Sequence, residues 1–253
     1  MKRQAILVTG AASGIGRAVA LRLAADGHRL ALLDRDEEGL SLTVKQSVAD
    51  GAEQVLAVGV DVADSAAVEA ACRRAAAGGP LDGVVCAAGI LEPGGLAEVT
   101  EQSWQRHFAV NTTGILHVLQ HAAPRLHDGG SIVVISSNAA RVPRTGMIAY
   151  AASKAATSAL TRCAGLELAG RGIRCNVVEP GSTDTPMQRD LWPDAQAGRQ
   201  AAIGGDPAAY RVGIPLGRIG ACEDVAEVAC FLLSDAARQV TLQQVFVDGG
   251  ASL

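Results

Sequence analysis

The stretch QAILVTGAASGIG, residues 4–16, joins an apolar run to a turn that contains three glycines. The run predicts a buried β-strand, and the pattern after the turn predicts a helix over residues 17–25. A glycine-rich turn between a strand and a helix lets the backbone approach a pyrophosphate, which the free N–H groups of the helix N-terminus can bind. The turn residues expected to hold a dinucleotide are Gly10, Ser13, Gly14, Ile15 and Gly16. The G-x-x-x-G-x-G spacing is not the more frequent G-x-G-x-x-G, so a tight turn without a ligand is the alternative.

The remaining chain alternates between strand-like and helix-like patterns. Further strands are predicted at residues 29–33, 54–60, 81–85, 132–135, 173–178 and 243–247. Further helices are predicted at residues 36–49, 64–77, 100–126 with an interruption near Asn111, 150–169 and 223–233. This alternation predicts a single α/β domain over residues 1–253, a doubly wound, Rossmann-type sheet of about seven parallel strands with helices on both faces. Polar residues 186–214 are expected to form a loop, and a long loop in a compact domain often acts as a lid.

Composition and charge narrow the possible functions. The chain has 253 residues, of which 49% are hydrophobic, and this is enough for one sizeable core. Its net charge of −4 argues against a nucleic-acid partner, which favours a clustered basic face. No membrane partner and no signal peptide are expected, because no apolar run reaches roughly 18 residues and no cleavage site follows the first residues. Six cysteines without a C-x-x-C pair are expected to be free thiols of a cytoplasmic protein.

An aspartate follows the second predicted strand. Asp34 lies near the offset from Gly16, roughly 20 residues, at which an acidic side chain binds the adenosine ribose hydroxyls of a dinucleotide. A carboxylate at this position would repel a 2′-phosphate, so NAD is expected rather than NADP. Arg35 weakens this distinction, but the glycine turn contains no Lys or Arg to bind a phosphate. The alternative is that Asp34 caps the next helix.

Two other strand ends carry residues suited to the same ligand. Asp61 and Val62 follow the third predicted strand, where a carboxylate can hold the adenine amino group and an aliphatic side chain can cover its ring. Ala88 and Gly89 follow the fourth strand, and their small size lets the backbone approach a ligand closely. These four residues are therefore predicted to bind the dinucleotide.

The stretch SSNAARVPRTGMIAYAASK, residues 136–154, holds a serine, a tyrosine and a lysine suited to proton transfer. Tyr150 and Lys154 are four residues apart and share one face of a predicted helix. A nearby ammonium favours the phenolate and lowers the tyrosine pKa, while Ser137, at the end of a predicted strand, can hold the substrate oxygen. Tyr-x-x-x-Lys pairs also arise by chance on exposed helix faces, which is the alternative interpretation.

A second pair of chemically active side chains, His117 and His121, also has helical spacing. Histidines four residues apart occur in some metal sites. The sequence lacks the glutamate of the H-E-x-x-H motif, however, and it offers no evident third ligand. The two histidines are therefore predicted not to bind a metal, and no metal site is expected.

Together these motifs resemble the short-chain dehydrogenase/reductase family, and the resemblance covers essentially the whole chain. The motifs that carry it are Thr9-Gly10-x-x-x-Gly14-x-Gly16, Asp34, Asp61, Ala87-Ala88-Gly89, Asn111, Ser137, Tyr150-x-x-x-Lys154 and Pro180-Gly181. The family implies a doubly wound fold that binds a nicotinamide cofactor. It also implies a homotetramer, built partly through the helices that contain Asn111 and Tyr150.

The resemblance implies a role for each catalytic position. Tyr150 corresponds to the acid/base, and Lys154 to the residue that lowers its pKa and binds the nicotinamide ribose. Ser137 would orient the substrate oxygen, and Asn111 would support a water molecule in the proton relay. The residues that would lie at the nicotinamide end of the cofactor are Pro180, Gly181, Thr183 and Thr185.

Within the family, the stretches that begin at Ser136, Gly172 and Gly213 are similar to the branch that forms a catechol acid for siderophore biosynthesis. That branch oxidises the C3 hydroxyl of 2,3-dihydro-2,3-dihydroxybenzoate with NAD⁺, and the ketone tautomerises to aromatic 2,3-dihydroxybenzoate. One alternative is the same oxidation of the amino analogue, 2,3-dihydro-3-hydroxyanthranilate, to 3-hydroxyanthranilate. The others are an alcohol dehydrogenase of another ring or steroid substrate and a non-catalytic NAD-binding scaffold.

The implied substrate is a cyclic carboxylate, and arginines bind carboxylates through paired hydrogen bonds. Arg141 and Arg144 lie between Ser137 and Tyr150 in the sequence and are predicted to bind that carboxylate. The alternative for each arginine is an exposed surface charge. The residues predicted to line the substrate pocket are Met147, Met187, Gln188 and Trp192.

Two positions depart from the family pattern. Cys86 stands where the family usually has asparagine, which puts a hydrogen bond between strands in doubt but not the chemistry. Glu179 precedes Pro180 and Gly181, where a small residue is more usual. A carboxylate near the nicotinamide would change the pocket and would slightly favour the amino analogue of the substrate.

Overall fold

The computed structural model describes residues 3–192 and 194–252, and its strands form one sheet. The strands are β1 (Ala5–Thr9), β2 (Arg29–Asp34), β3 (Gln54–Gly59), β4 (Leu81–Cys86), β5 (Leu126–Ile135), β6 (Arg174–Pro180) and β7 (Gln244–Val247). Their spatial order is β3-β2-β1-β4-β5-β6-β7, and every neighbouring pair is parallel. The predicted doubly wound sheet of seven parallel strands is confirmed.

Helices cover both faces of this sheet. They are α1 (Gly14–Ala25), α2 (Glu37–Ala49), α3 (Ser65–Ala75), α4 (Glu101–His107), α5 (Gly114–Ala122), α6 (Ile148–Leu168), α7 (Pro186–Arg189), α8 (Ala195–Gly204) and α9 (Cys222–Leu233). Successive strand residues point to opposite faces, so a strand buried on both sides is apolar throughout. In β1, Leu7 packs in the layer with α3, α5 and α6, whereas Ile6 and Val8 pack in the layer with α1, α2 and α9.

The strand order reverses between β1 and β4. Because the connections on the two sides of this point run in opposite directions, a crevice opens there at the carboxyl ends of the strands. The glycine turn that follows β1 lies at this crevice. The fold therefore places the stretch over residues 4–16 where a dinucleotide binds in doubly wound sheets.

The predicted helix over residues 100–126 is divided in the structure. A π-helical stretch, Phe108–Thr113, separates α4 from α5. Pro124 stands in a 3₁₀ turn after α5, since proline has no N–H for the helical ladder and ends such a helix. Leu126 already belongs to β5, so this strand begins earlier than the predicted residues 132–135.

The segment over residues 186–214 is not a loop, because it contains α7 and α8. Both helices have capping side chains: Thr185 Oγ1 accepts a hydrogen bond from Gln188 N, and Asp194 caps the first turn of α8. The polar composition of the segment hid these short helices from the sequence prediction. Residues 186–192 and 194–214 are called the roof segment below, because several of their side chains border the cavity at the crevice.

Two other expectations concern membrane-spanning helices and the state of the cysteines. Within residues 3–192 and 194–252, no helix is both long and apolar enough to cross a membrane. All six cysteines are free thiols, and Cys72, Cys86 and Cys175 are buried. Burial raises the pKa of Cys72 to about 11 and that of Cys175 to about 12, so these thiols stay protonated at neutral pH.

Candidate active site

A cavity of about 700 Å³ lies in the crevice at the carboxyl ends of the central strands. The glycine turn, the ends of β2 and β3, the first turn of α6 and the roof segment all contribute to its wall. Every residue predicted to contact the dinucleotide lines this cavity, and so do Ser137, Arg144, Met147 and Gln188. Asn111 and Arg141 are the predicted site residues that do not line it. The structure thus brings residues from distant parts of the sequence to one place.

The glycine turn fits the close approach of a ligand that carries phosphates. Gly10 and Gly14 have φ angles of 69° and 53°, a region that favours glycine. A Cβ atom on Gly10 would lie 2.6 Å from Ala88 N, and one on Gly16 would lie 2.1 Å from Gly10 O. Ser13 is the N-cap of α1 and makes no capping hydrogen bond, so its hydroxyl and the first N–H groups of α1 remain available. These features match the pyrophosphate of a dinucleotide.

Asp34 holds its carboxylate at the edge of the cavity. Its Oδ2 accepts a hydrogen bond from Ala12 N at 2.9 Å, and its Oδ1 accepts one from Asp36 N at 3.0 Å. Each oxygen keeps a lone pair for a ligand hydroxyl. The N-cap of α2 is Asp36, whose side chain accepts from Gly39 N, so the interpretation of Asp34 as the cap of this helix is wrong. Arg35 is exposed and borders the same end of the cavity.

The ends of β3 and β4 extend this wall. Asp61 Oδ1 accepts a hydrogen bond from Ala63 N at 2.9 Å, and both Asp61 and Val62 face the cavity. A Cβ atom on Gly89 would lie 3.3 Å from Asn111 Oδ1 and 3.3 Å from Lys154 Nζ. Glycine at this position therefore lets the chain after β4 pass close to the predicted catalytic residues.

Hydrogen bonds connect the ends of β1 and β4 beside Cys86. Thr9 Oγ1 accepts hydrogen bonds from Ala87 N at 3.2 Å and from Ala88 N at 3.3 Å. Cys86 itself is buried, and burial raises the pKa of its thiol far above the ordinary value. The Thr9 hydroxyl therefore connects the ends of β1 and β4 next to the position where Cys86 replaces the usual asparagine.

Tyr150 and Ser137 form the polar floor of the cavity. Tyr150 is buried, with 9% of its surface exposed, and its phenol lies near enough to the Ser137 hydroxyl for that group to affect its pKa. Ser137 Oγ also accepts a hydrogen bond from Ala139 N at 3.2 Å, which leaves its proton for the tyrosine oxygen or for a ligand. The pair can hold one substrate oxygen between a hydroxyl donor and a phenol that exchanges a proton with it.

Burial governs the pKa values of Tyr150 and Lys154. It raises the pKa of Tyr150, and the neighbouring Ser137 hydroxyl opposes that rise. It lowers the pKa of Lys154 to about 8. Lys154 Nζ lies 5.9 Å from the centre of the Tyr150 ring and donates to Ile135 O at 2.9 Å. The Tyr150 pKa is therefore raised by burial and not lowered as predicted, and the lysine is still largely protonated at pH 7.

Asn111 lies behind the cavity wall, in the π-helical stretch, and is fully buried. Its Nδ2 donates to Ile90 O and to Ser153 Oγ, each at 3.0 Å, and its Oδ1 accepts from Ile90 N at 2.8 Å. Its carbonyl oxygen accepts from Thr157 Oγ1 at 2.6 Å. A π-helical turn frees this carbonyl from the regular ladder. Asn111 therefore ties the chain after β4 to the helix that carries Tyr150 and Lys154.

The two arginines predicted to bind the substrate lie in different environments. Arg144 lines the cavity. Arg141 is exposed, follows the 3₁₀ turn Asn138–Ala140 and places its guanidinium carbon 5.2 Å from the centre of the Phe246 ring. The prediction for Arg141 is wrong, because the turn directs its side chain toward β7 instead of the cavity. Its alternative as a surface charge is the correct one.

The sequence prediction missed a third arginine. Arg211, in the roof segment, lines the cavity, and its Nη2 donates to Ser182 Oγ at 3.1 Å. Trp192 also lines the cavity and packs so closely over α8 that a Cβ atom on Gly198 would lie 2.2 Å from its ring. An isolated arginine in a polar segment carries no motif, so only the folding of the roof segment reveals its place.

Glu179 does not lie at the nicotinamide end of the cavity. Its side chain is fully buried, with Oε1 accepting hydrogen bonds from Ser158 Oγ at 2.9 Å and Gln244 Nε2 at 2.6 Å. Neighbouring Pro180 and Gly181 do line the cavity. The prediction for Glu179 is therefore wrong, because the side chain points into the packing between β6, β7 and α6.

His117 and His121 have separate partners. His117 Nδ1 is hydrogen-bonded to Val62 O at 3.0 Å, and His121 Nε2 to Ser65 Oγ at 3.0 Å. In the part of the chain that the structure describes, no group of three or more His, Cys, Asp or Glu side chains is arranged to hold a metal. The histidines thus connect α5 to the chain around β3 and α3.

The sequence also matches a family of known proteins. The profile of a family described as enoyl-(acyl carrier protein) reductase matches residues 10–252. Together with relatives that match nearly the whole chain, this shows that the protein belongs to the short-chain dehydrogenase/reductase family. The chain is therefore an oxidoreductase of the class that the fold and the Ser137–Tyr150–Lys154 arrangement indicate.

Two relatives and one solved structure define the similarity further. The 2,3-dihydro-2,3-dihydroxybenzoate dehydrogenase of Bacillus subtilis (strain 168) is 43% identical over 97% of this chain and 95% of that protein. The enzyme of the same name from Escherichia coli (strain K12) is 43% identical over 98% of this chain and 96% of that protein. A crystal structure of a short-chain dehydrogenase from Mycobacterium paratuberculosis bound to NAD has a TM-score of 0.86 at 31% identity, covering 98% of this chain and 97% of that one.

Proposed function

We propose that this protein oxidises 2,3-dihydro-2,3-dihydroxybenzoate to 2,3-dihydroxybenzoate with NAD⁺, a step that would supply a catechol acid for siderophore biosynthesis. The observation that carries the proposal is the shared cavity, into which the glycine turn, the Ser137–Tyr150 pair and Arg144 all open. The names of two relatives that match nearly the whole chain support the choice of substrate. The substrate is thus a small cyclic carboxylate.

Tyr150 is the proposed acid/base. Its deprotonated oxygen would accept the proton of the substrate C3 hydroxyl while Ser137 holds that oxygen by a hydrogen bond. A bound nicotinamide dinucleotide supplies the acceptor for the hydride that leaves C3. Loss of the C2 proton from the resulting ketone would then complete the aromatic ring. Aromatisation makes this direction strongly favourable.

Lys154 and Asn111 would support this proton transfer. With a pKa of about 8, Lys154 is largely a cation at neutral pH, and its charge favours the phenolate form of Tyr150. Lys154 would also bind the nicotinamide ribose. Asn111 Nδ2 donates a hydrogen bond of 3.0 Å to Oγ of Ser153, the residue before Lys154. Asn111 is also proposed to support a water molecule beside the lysine.

The choice of NAD over NADP is proposed to rest on Asp34. Its carboxylate is held in place by two backbone N–H groups at 2.9 and 3.0 Å and borders the cavity. Free lone pairs on both oxygens suit the two ribose hydroxyls, whereas a 2′-phosphate would meet a negative charge. The other proposed contacts of the cofactor are Gly10, Ser13, Gly14, Ile15, Gly16, Asp61, Val62, Ala88, Gly89, Pro180, Gly181, Thr183 and Thr185.

The alternatives have less support. The amino analogue of the substrate was favoured by Glu179, and that side chain is buried away from the cavity. A non-catalytic scaffold would not require a serine, a tyrosine and a lysine side by side in the wall of the cavity.

The architecture of the assembly is also a proposal. The chain would act as one domain in the cytoplasm, with the roof segment as a lid over the substrate. It would form a homotetramer through the helices around Asn111 and Tyr150. Exposed apolar side chains on these helices, such as Leu116 in α5 and Leu166 in α6, support such an interface. Light scattering on the purified protein measures the oligomeric state directly.

NADH formation by the purified protein tests the proposed activity. The protein is given NAD⁺ with either 2,3-dihydro-2,3-dihydroxybenzoate or its amino analogue, and turnover of the dihydroxy acid is expected. Tyr150→Phe should still bind NAD but lose turnover by roughly 10²- to 10⁴-fold. Absence of turnover with the dihydroxy acid, or full activity of the phenylalanine variant, would contradict the proposal.

A further inference from the structure

Two arginines from different parts of the chain line the cavity. Arg144 precedes α6, Arg211 belongs to the roof segment, and both line the cavity. The pKa of Arg144 is lowered by burial and, in addition, by the positive charge of Arg211. Two partly buried cations whose charges act on each other indicate a place for an anion.

The two carboxylates whose charges act on these arginines, Asp206 and Asp248, form no salt bridge with them among the described residues. Asp206 Oδ1 accepts hydrogen bonds from two backbone N–H groups of the turn that follows it, at 3.0 and 3.3 Å. Asp248 accepts from Gly250 N at 3.0 Å and from Asn138 Nδ2 at 3.4 Å. Both carboxylates offset the positive charge from a distance. Among the described residues, however, neither Arg144 nor Arg211 forms a salt bridge.

Arg211 also retains unused hydrogen-bond donors. Its Nη2 donates to Ser182 Oγ at 3.1 Å, whereas its Nε is buried and has no partner among the described residues. A buried donor without a partner is unfavourable. A guanidinium presents its N–H groups in a planar fork that matches the two oxygens of a carboxylate. This arrangement is the one expected when a ligand completes the hydrogen bonds of the side chain.

We propose that the substrate carboxylate binds between Arg144 and Arg211 and thereby draws the roof segment onto the substrate. This inference rests on the proposed function, because it assigns the carboxylate of that substrate. Arg144 lies on the connection between Ser137 and Tyr150 and anchors the carboxylate beside the proton-transfer pair. Arg211 anchors the roof segment to the same group. A ring without a carboxylate leaves the two cations facing each other, so the pair selects for acidic substrates.

The test compares two substrates that differ only in the carboxylate. They are 2,3-dihydro-2,3-dihydroxybenzoate and the corresponding diol without the acid group, 5,6-dihydroxycyclohexa-1,3-diene. In Arg211→Met and in Arg144→Met, kcat/KM for the acid should fall by roughly 10- to 100-fold, as expected when a charged hydrogen bond is lost. For the diol, kcat/KM should change by less than about threefold, because no group of the diol contacts either arginine.

Two other arginine variants serve as controls. Arg199→Met removes a charge from α8 of the roof segment. In the wild type, Arg199 Nη2 lies 3.6 Å from Asp184 Oδ2. Arg141→Met removes the charge that lies outside the cavity, near Phe246. Both variants should keep the wild-type ratio of kcat/KM for the acid to that for the diol. Arg211→Lys, which keeps the charge but not the planar fork, should give an intermediate ratio.

The outcomes separate this inference from the proposed function. Equal losses for the acid and the diol in Arg211→Met would overturn the inference, because they would indicate a structural role for the arginine. If the wild-type protein oxidises neither compound, the proposed function fails, and calorimetry with benzoate and the NAD-loaded protein then tests the carboxylate site. Binding that weakens about tenfold or more in Arg211→Met would support the site. No binding, or equal binding by both proteins, would overturn it.

Discussion

Lys154 Nζ donates a hydrogen bond to the carbonyl oxygen of Ile135, the last residue of β5, at 2.9 Å. The contact holds a buried amine at the point where the strand ends and the proposed catalytic serine follows. Burial lowers the pKa of this amine to about 8. Lys154 is thus a cation near neutral pH but loses its charge at a pH where a lysine in water keeps it.

This pKa predicts how stability depends on pH. The folded-state pKa of about 8 lies below the ordinary value of 10.5, so the unfolded chain binds more protons between these two values. The contribution of Lys154 to the unfolding free energy should therefore rise as pH increases from 8 toward 10.5. Urea unfolding of the cofactor-free protein and of Lys154→Met at pH 7, 8, 9 and 10 measures it. If the difference in unfolding free energy between the wild type and Lys154→Met stays constant over this pH range, the assigned pKa is contradicted.

The pKa of His28 predicts that stability also depends on pH below neutrality. The side chain is buried, its Nδ1 accepts a hydrogen bond from Gln4 N at 3.1 Å, and burial lowers its pKa below the ordinary 6.5. The stability that depends on neutral His28 is present above pH 6.5 and is lost as pH falls through the folded-state pKa. His28→Asn keeps an acceptor without the titration. Its unfolding free energy should fall less than that of the wild type between pH 7 and pH 5, and parallel curves would exclude this role.

Asp34 should decide which dinucleotide is used. The wild type should have a higher kcat/KM with NAD⁺ than with NADP⁺. Asp34→Ser removes a charge that is held at the cavity edge, so kcat/KM for NAD⁺ should fall roughly 10- to 100-fold while that for NADP⁺ rises. Asp64→Ser is a suitable control, because Asp64 caps α3 outside the cavity. Equal or faster wild-type turnover with NADP⁺ would rule out the proposed selection.

Glu179 should matter for stability and not for substrate choice. Glu179→Ala removes the acceptor of Gln244 Nε2 and leaves Ser158 Oγ with only Ser136 Oγ as a partner, which should lower the unfolding free energy by about 1–3 kcal/mol. Glu53→Ala removes an exposed partner of Arg3 and should change stability by less than about 1 kcal/mol. The ratio of activities on the dihydroxy acid and its amino analogue should not change in Glu179→Ala. A change in that ratio would place Glu179 back at the substrate.

The glycine turn provides a comparison between two alanine substitutions. In Gly16→Ala the new Cβ would lie 2.1 Å from Gly10 O, so the turn must open and NAD binding should fall at least tenfold. In Gly170→Ala, after α6, the new Cβ meets nothing within 4 Å. That variant should bind NAD as the wild type does and have equal or slightly greater stability, by up to about 1 kcal/mol. Calorimetric titration with NAD distinguishes the two, and unchanged binding by Gly16→Ala would exclude a role for the turn.

The placement of the proposed cofactor residues in one cavity was predictable because their signals are local. A strand, a glycine turn and a helix follow one another within residues 4–25, and Asp34 ends the next strand. Parallel strands align their carboxyl ends, so the order of elements alone brings these residues to one edge of the sheet. The spacing of Tyr150 and Lys154 was informative for the same reason, since helical geometry determines which residues share a face.

The substrate side was only partly predictable, because it depends on where individual side chains point. Arg141 and Arg144 are three residues apart, yet one contacts Phe246 and the other lines the cavity. Glu179 precedes two cavity residues, but its side chain is buried on the other side of the strand. No propensity or spacing rule distinguishes these cases, since the irregular chain after β5 sets the direction of each side chain.

The sequence by itself determined the alternation of strands and helices, the family, the glycine turn and the helical spacing of Tyr150 and Lys154. Each of these follows from patterns within a few turns of helix or one strand, whose geometry is regular. Tertiary structure decided the pKa direction of Tyr150, the burial of Glu179 and the place of both Arg144 and Arg211 in the wall of one cavity. These depend on burial and on contacts between residues far apart in the chain, which exist only when the sheet, α6 and the roof segment pack together.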